Sequence, residues 1–125
     1  MKLLLRRDQR VSRLGKMLFV LDARAQLSKD DVRAIQTHRF GKAILYAGNG
    51  RGGAARGLPG MGSRLAAHGL KISISVDDLA NGRQIECKDI LEMLAVQEQL
   101  KEAAANLKSL LEAARHFGGE EVIEL

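Results

Sequence analysis

Cysteine is almost absent from this sequence of 125 residues, which contains only Cys87. A single cysteine can form neither an internal disulfide nor a zinc site built on paired cysteines, and it suits a reducing compartment. Long apolar runs are missing as well. The three leucines after Lys2 are too few for a signal peptide, and no later run approaches a membrane span. We therefore expect a cytoplasmic protein that does not use a membrane.

Aromatic residues are also scarce, with one tyrosine, three phenylalanines and no tryptophan. The core must therefore be aliphatic, and few aromatic side chains are available to stack on bases or sugars. The three histidines, His38, His68 and His116, lie far apart and beside no carboxylate or cysteine at ligand spacing. The sequence predicts no metal site and no cofactor.

The residues that are present describe a globular chain, with 46% hydrophobic and 28% charged residues. Its length is near the commonest size of one domain, so we interpret residues 1–125 as a single domain. Charge is distributed unevenly. Residues 1–69 hold 14 Lys and Arg against 4 Asp and Glu, whereas residues 70–125 hold 6 against 11. A basic half and an acidic half can attract each other within one fold or between copies.

The beginning of the chain predicts a β ribbon. A short strand is expected at Lys2–Arg7, and the continuous apolar run Met17–Leu21 has the length of a buried strand. Between them, residues 6–16 read as a polar turn with five positive side chains, which would form the basic tip of the ribbon. These side chains are Arg6, Arg7, Arg10, Arg13 and Lys16.

A helix is predicted next. Ser28 is a good N-cap, and Asp31 occupies the capping-box position three residues later. Val32 and Ile35 would face the core, and Gly41 would end the helix. Because residues 43–47 then read as a strand, the order of strand, helix and strand predicts a right-handed crossover between parallel strands.

The second half of the chain predicts three further strands. Residues 71–76 alternate between apolar and polar, which is typical of a half-buried strand. Asn81-Gly82 favours a type I′ hairpin turn into a returning strand at residues 83–87, although residues 77–79 before it are poor strand formers that could make a bulge or a helical turn. Residues 121–125 read as a terminal strand.

Residues 48–69 interrupt this pattern with eight of the 13 glycines and the only proline. Gly48, Gly50 and Gly53 match a G-x-G-x-x-G fingerprint, but no convincing helix follows and no acidic residue stands at the expected distance. The P-loop lysine and hydroxyl are missing too. We therefore favour a flexible glycine- and arginine-rich loop over a nucleotide site.

Arginines beside glycines in this loop, Arg51 and Arg56, are similar to arginine-glycine segments that bind RNA. Combined with the basic tip, they make nucleic acid the most plausible ligand, because cations supply the counterion-release term of binding. The sequence lacks interleaved aromatics and any helix-turn-helix pattern. The candidate nucleic-acid contacts are Arg6, Arg7, Arg10, Arg13, Lys16, Arg51 and Arg56.

Catalytic patterns are weak. Ser63, His68 and Asp77 have the right types for a triad, but no nucleophile elbow surrounds the serine. Cys87 is interpreted as a small core residue, with a reactive thiol near the start of the following helix as the alternative. The sequence therefore names no catalytic residue.

A long amphipathic helix is expected at residues 90–117, with Asp89 as its N-cap. Its apolar positions follow an unbroken heptad pattern, which suits either packing across the sheet or pairing with a second copy. We favour packing within the chain. A helix of about 42 Å at 1.5 Å per residue is nevertheless longer than a small sheet can cover, so part of it is an expected interface. The candidate interface residues are Met93, Val96, Leu100, Leu107, Leu110 and Phe117.

These observations predict an α+β domain in which a long C-terminal helix and a shorter N-terminal helix cover a small mixed sheet of about five or six strands. We expect a non-enzymatic interaction or assembly domain that self-associates and contacts a protein partner through the terminal strand and the long helix. The first alternative is an accessory nucleic-acid-binding protein that uses the basic half. The second is a small enzyme or nucleotide binder with an unrecognised site.

Overall fold

The structure is a computed structural model that describes residues 1–48, 72–117 and 122–125. Within these ranges the chain has five strands and three helices. In chain order they are β1 (Lys2–Val11), β2 (Met17–Gln26), α1 (Lys29–His38), β3 (Ile44–Ala47), β4 (Ser73–Ser75), α2 (Val76–Asn81), β5 (Arg83–Cys87) and α3 (Ile90–Arg115). The predicted α+β class, with a long C-terminal helix, is confirmed. Apart from Gly48, the loop predicted for residues 48–69 lies outside the described residues.

The first two strands form the antiparallel ribbon that the sequence predicts, with a register from Lys2↔Gln26 to Val11↔Met17. The predicted extent of the turn is wrong, because only residues 12–16 connect the strands. The Ser12 N–H donates to the Lys16 carbonyl, so the loop itself is residues 13–15, and the φ of 77° at Gly15 suits the left-handed position of such a three-residue hairpin loop. Strand β1 continues past Arg7 because alternate positions of an edge strand can point charges to solvent.

The strands divide between two antiparallel sheets, of order β1-β2-β5 and β3-β4. Strand β2 lies in the centre of the larger sheet and pairs with β5 from Phe19↔Cys87 to Ala23↔Arg83. The predicted parallel crossover is therefore wrong, because β3 pairs with β4 rather than with β2. The single mixed sheet is replaced by two smaller antiparallel ones.

The hairpin predicted at Asn81-Gly82 is also absent, because the preceding residues form α2. Ser75 caps this helix: its hydroxyl accepts from the Asp78 N–H at 3.2 Å, and the Asp78 carboxylate accepts from the Ser75 N–H at 2.8 Å. This reciprocal capping box stabilises the turn of helix that competes with a strand. Gly82 keeps the positive φ that the sequence suggested, 92°, at the end of the helix.

Helix α1 begins as predicted, with a capping box between Ser28 and Asp31. Ile35 is buried, but Val32 is 41% exposed, so its predicted place in the core is wrong. The helix ends earlier than Gly41, because Arg39 takes the left-handed conformation and donates its backbone N–H to the Ile35 carbonyl. Gly41 instead lies against the start of α2: its carbonyl accepts from the Asp77 N–H at 2.8 Å, and an added Cβ would lie 2.5 Å from an Asp77 carboxylate oxygen.

Helix α3 covers the aliphatic core, as the packing interpretation predicts. Val96, Leu100 and Leu107 are fully buried, and the helix contacts both sheets through β2 and β3. Residues 122–125 form no strand and are exposed, so the predicted terminal strand is wrong for these residues. The helix itself therefore belongs to the fold, whereas residues 122–125 lie exposed without secondary structure.

Candidate functional site at the free edge of the sheet

Strand β1 pairs with β2 on one side, and no other described strand lies along its second side. The Ser12 N–H donates to the Lys16 carbonyl at 2.8 Å, which makes this a hydrogen-bonded pair at the end of the ribbon. Such pairs alternate along antiparallel strands, so the even-numbered residues of β1 bond to β2. The odd-numbered residues direct their N–H and C=O groups outward. These residues are Leu3, Leu5, Arg7, Gln9 and Val11.

This edge is long and regular. Ten residues span about 34 Å, and the pairing with β2 runs without a bulge or a proline. Among the usual devices that protect an edge, the described residues supply only charge: on the even-numbered positions Lys2, Arg6 and Arg10 stand against a single carboxylate, Asp8. A positively charged edge disfavours a second copy of the same strand and favours an acidic one.

The inner face of β1 belongs to the fold. Leu3 and Leu5 are partly buried against the core. Arg7 donates from Nε to the Gln97 Oε1 on α3 at 3.0 Å, and its Nη2 donates to the same oxygen. Gln97 is itself buried, so Arg7 fixes the strand beneath the long helix.

The outer face of β1 remains accessible. Leu4 is 51% exposed, Lys2 and Arg6 lie on either side of it, and Arg10 lies further along the same face. A cavity of about 500 Å³ opens on this side, lined by Leu4, Arg6, Asp22, Arg24 and residues 81–84. A lining that mixes arginines with leucine suits a partner that is both acidic and apolar.

The candidate nucleic-acid contacts are only partly brought together. Arg6 and Arg10 share the outer face, Arg7 lies on the opposite face, and the short turn carries Arg13 and Lys16. Arg10 also lies 3.9 Å from the Asp8 carboxylate. Arg51 and Arg56 lie outside the described residues.

The candidate interface on α3 is used within the chain. Met93, Val96, Leu100 and Leu107 are buried, and Leu110 is partly buried against the same core. Phe117 is 76% exposed, beyond the end of the helix, with its ring 4.9 Å from the His38 ring. Most of the predicted interface thus fills the core of one copy.

Cys87 lies in the core at the end of β5, where burial and then the charges of Glu92 and Asp89 raise its pKa to about 11. A thiol with such a pKa is a poor nucleophile at neutral pH. Asp77 of the hypothetical triad is exposed on α2, and its other two members lie in the undescribed part of the chain.

Two further features concern the described residues alone. None of their helices is long and apolar enough to cross a membrane. Their His, Cys, Asp and Glu side chains include no group of three or more placed to hold a metal ion.

No protein-family model, curated protein or solved structure matches this chain. The free edge of β1 is the feature that sequence reasoning missed. The signal in the sequence was that Lys2 and Arg6 place charged side chains on the same strand face as Leu4, which is typical of a face exposed to solvent. This pattern does not show that one edge of the strand is unpaired, because strand order depends on residues far apart in the chain.

Proposed function

We propose that this protein is a non-enzymatic interaction domain that self-associates by accepting a strand along the free edge of β1. The observation that carries the proposal is the ten-residue, regular edge whose odd-numbered backbone groups have no partner strand among the described residues; the Gln9 N–H donates to the adjacent Asp8 carboxylate instead. Strand addition to an open edge is a common mode of protein recognition, in which the backbone supplies affinity and the side chains supply selectivity.

Hydrogen bonding and charge both favour this mode of contact. Five residues of β1 offer an N–H and a C=O each, and every bond made contributes about 0.5–1.5 kcal/mol. The cost of ordering the partner strand opposes this gain, so a reversible contact is expected. The basic side chains of the outer face select an acidic partner.

The experiment compares two substitutions at one position of the edge. Leu5→Pro removes an outward N–H and leaves the bonds to β2 intact. Leu5→Ala shortens the same side chain but keeps the N–H. Light scattering after size exclusion over a range of concentrations should show a larger loss of association for Leu5→Pro than for Leu5→Ala. A monomeric mass for the unaltered chain at every concentration, or equal association of both variants, would contradict the proposal.

Nucleic-acid binding is the second candidate, because Arg6 and Arg10 share one face of β1 and the hairpin turn adds two cations. Asp8, on the same face, weakens this alternative. Fluorescence anisotropy with a labelled oligonucleotide at low salt tests it, together with a variant that carries Arg13→Ala and Lys16→Ala. Binding that falls with salt and weakens in this variant would support the candidate. No measurable binding would remove it.

A further inference from the structure

We propose that the strand accepted by β1 is the segment Val122–Leu125 of a second copy of this chain. This inference rests on the proposed function and names the partner of the same edge. The segment is exposed and unpaired: Val122 is 86% exposed and Ile123 is 69% exposed. Apolar side chains in such a position are available to another molecule.

The side-chain pattern of the segment matches that of β1. In an extended strand, Val122 and Glu124 share one face, and Ile123 and Leu125 share the other. The first pair combines an apolar and an acidic side chain, which complements Leu4 and the cations on either side of it on the outer face of β1. The second pair is apolar, like Leu3 and Leu5 on the inner face.

One alignment places Val122, Ile123 and Glu124 beside suitable neighbours in either strand direction. When Val122 lies beside Leu4, Glu124 lies beside Arg6 in a parallel arrangement and beside Lys2 in an antiparallel one. On the inner face, Ile123 then lies beside Leu5 or Leu3, which are only partly buried in one copy. Opposite charges and apolar pairs across neighbouring strands both stabilise a sheet.

Two alternatives fit less well. Pairing of β1 with β1 of a second copy would bring together two outer faces that each carry three cations and one carboxylate, so positive charge is in excess in every register. Pairing of the segment with β1 of its own chain is not the arrangement found, because residues 122–125 lie exposed without a strand partner. The end of α3 is meanwhile held at α1 by Arg115, which donates to Asp31 at 3.3 Å.

The arrangement makes each copy both a donor and an acceptor of a strand. Two copies can therefore close reciprocally into a dimer, and a chain of copies forms if the geometry does not close. The basic β1 and the acidic end of the sequence, separated in one copy, then meet between copies. The overall charge asymmetry of the chain thus acquires a role in assembly.

Charge reversal tests the pairing directly. Glu124→Lys, Arg6→Glu and Lys2→Glu each change a side chain that is exposed in the monomer, so folding should be retained. We expect Glu124→Lys to raise the dissociation constant about tenfold in sedimentation equilibrium, because it replaces an attractive pair by like charges. Adding Arg6→Glu in the same chain should restore association for a parallel strand, and adding Lys2→Glu should restore it for an antiparallel one.

A matched control is Glu112→Lys, which makes the same charge change at an exposed position of α3. It should leave the dissociation constant unchanged, because Glu112 lies on helix α3 and takes no part in the proposed strand pair. If Glu112→Lys weakens association as much as Glu124→Lys does, net charge rather than pairing governs association, and the inference is overturned.

The failure of this inference is distinguishable from that of the proposed function. If Leu5→Pro abolishes association while neither double reversal restores it, the edge of β1 accepts a different strand, and only the assignment of residues 122–125 is wrong. If Leu5→Pro has no more effect than Leu5→Ala, both proposals fall. Restoration by one double reversal, with the control unchanged, supports both.

Discussion

Strands β1 and β2 have the same length and pair residue by residue, yet they occupy opposite environments. Strand β2 has neighbours on both sides, and Val20, Leu21, Ala23 and Ala25 are buried on it. Strand β1 has one described neighbour and no buried residue. The central strand carries two charged residues, whereas the edge strand carries five. Position in the sheet, rather than strand length, therefore separates the element that stabilises the fold from the element available to a partner.

The sharpest test of this difference truncates one leucine in each strand. Leu21→Ala on β2 removes a fully buried side chain and should lower the free energy of unfolding by about 2–5 kcal/mol. Leu4→Ala on β1 should change it by no more than about 0.5 kcal/mol, because half of that side chain is already exposed. Urea unfolding at low protein concentration measures both. Equal losses would contradict the contrast between the two strands.

Strand β5, the other neighbour of β2, can be examined through the thiol of Cys87. Cys87 pairs with Phe19, and its pKa of about 11 leaves a thiolate fraction about 100-fold smaller than that of a thiol with the ordinary value. We expect a thiol reagent at pH 8 to label the folded chain far more slowly than the chain in urea. Comparable labelling rates in the folded chain and in urea would show that Cys87 is accessible in the folded chain, which would contradict the closed environment of β5.

The two faces of β1 should also differ from each other. Arg7→Ala leaves the buried Gln97 oxygen without its donor and should cost about 1–2 kcal/mol of unfolding free energy. Arg6→Ala, on the outer face, should change stability by no more than about 0.5 kcal/mol. Urea unfolding again provides the measurement. A larger loss of unfolding free energy for Arg6→Ala than for Arg7→Ala would mean that side chains of the outer face, not those of the inner face, stabilise strand β1.

The smallest effect is expected where β2 continues into α1. Burial pushes the pKa of Asp31 upward, but hydrogen bonds from Ser28 and Arg115 outweigh it and hold the pKa below the ordinary value of 3.8. This carboxylate therefore stabilises the fold above about pH 4, and its contribution is lost as the pH falls through the lowered pKa. Asp31→Asn should reduce stability at neutral pH and flatten its decline in acid. Asp30→Asn, at an exposed position in the same turn, is the control.

Local patterns in the sequence predicted the local structure well. The capping box of Ser28 and Asp31, the Asp89 cap and the heptad of the long helix each depend on residues a few positions apart. The core positions of α3 were predicted for the same reason. The competition between a hairpin at Asn81 and a helix was decided by the second capping box at Ser75, whose importance the turn pattern concealed.

Strand pairing could not be predicted, because it joins residues distant in the chain. Nothing near residue 45 indicates that β3 pairs with β4 rather than with β2. The same limit applied to the candidate site. The basic residues of β1 were recognised, but the open edge beside them follows from the strand order β1-β2-β5. Exposure of residues 122–125 likewise depends on the absence of a strand partner, which their apolar and acidic pattern does not reveal.

Amide hydrogen exchange along β1, followed by NMR over a range of protein concentrations, tests the central claim most directly. At high dilution the odd-numbered amides, such as those of Leu3 and Leu5, should exchange rapidly while the even-numbered ones stay protected by β2. As concentration rises, the odd-numbered amides should become protected in parallel with self-association. Odd-numbered amides that stay unprotected in the associated state, or that are already protected in the monomer, would contradict strand addition at this edge.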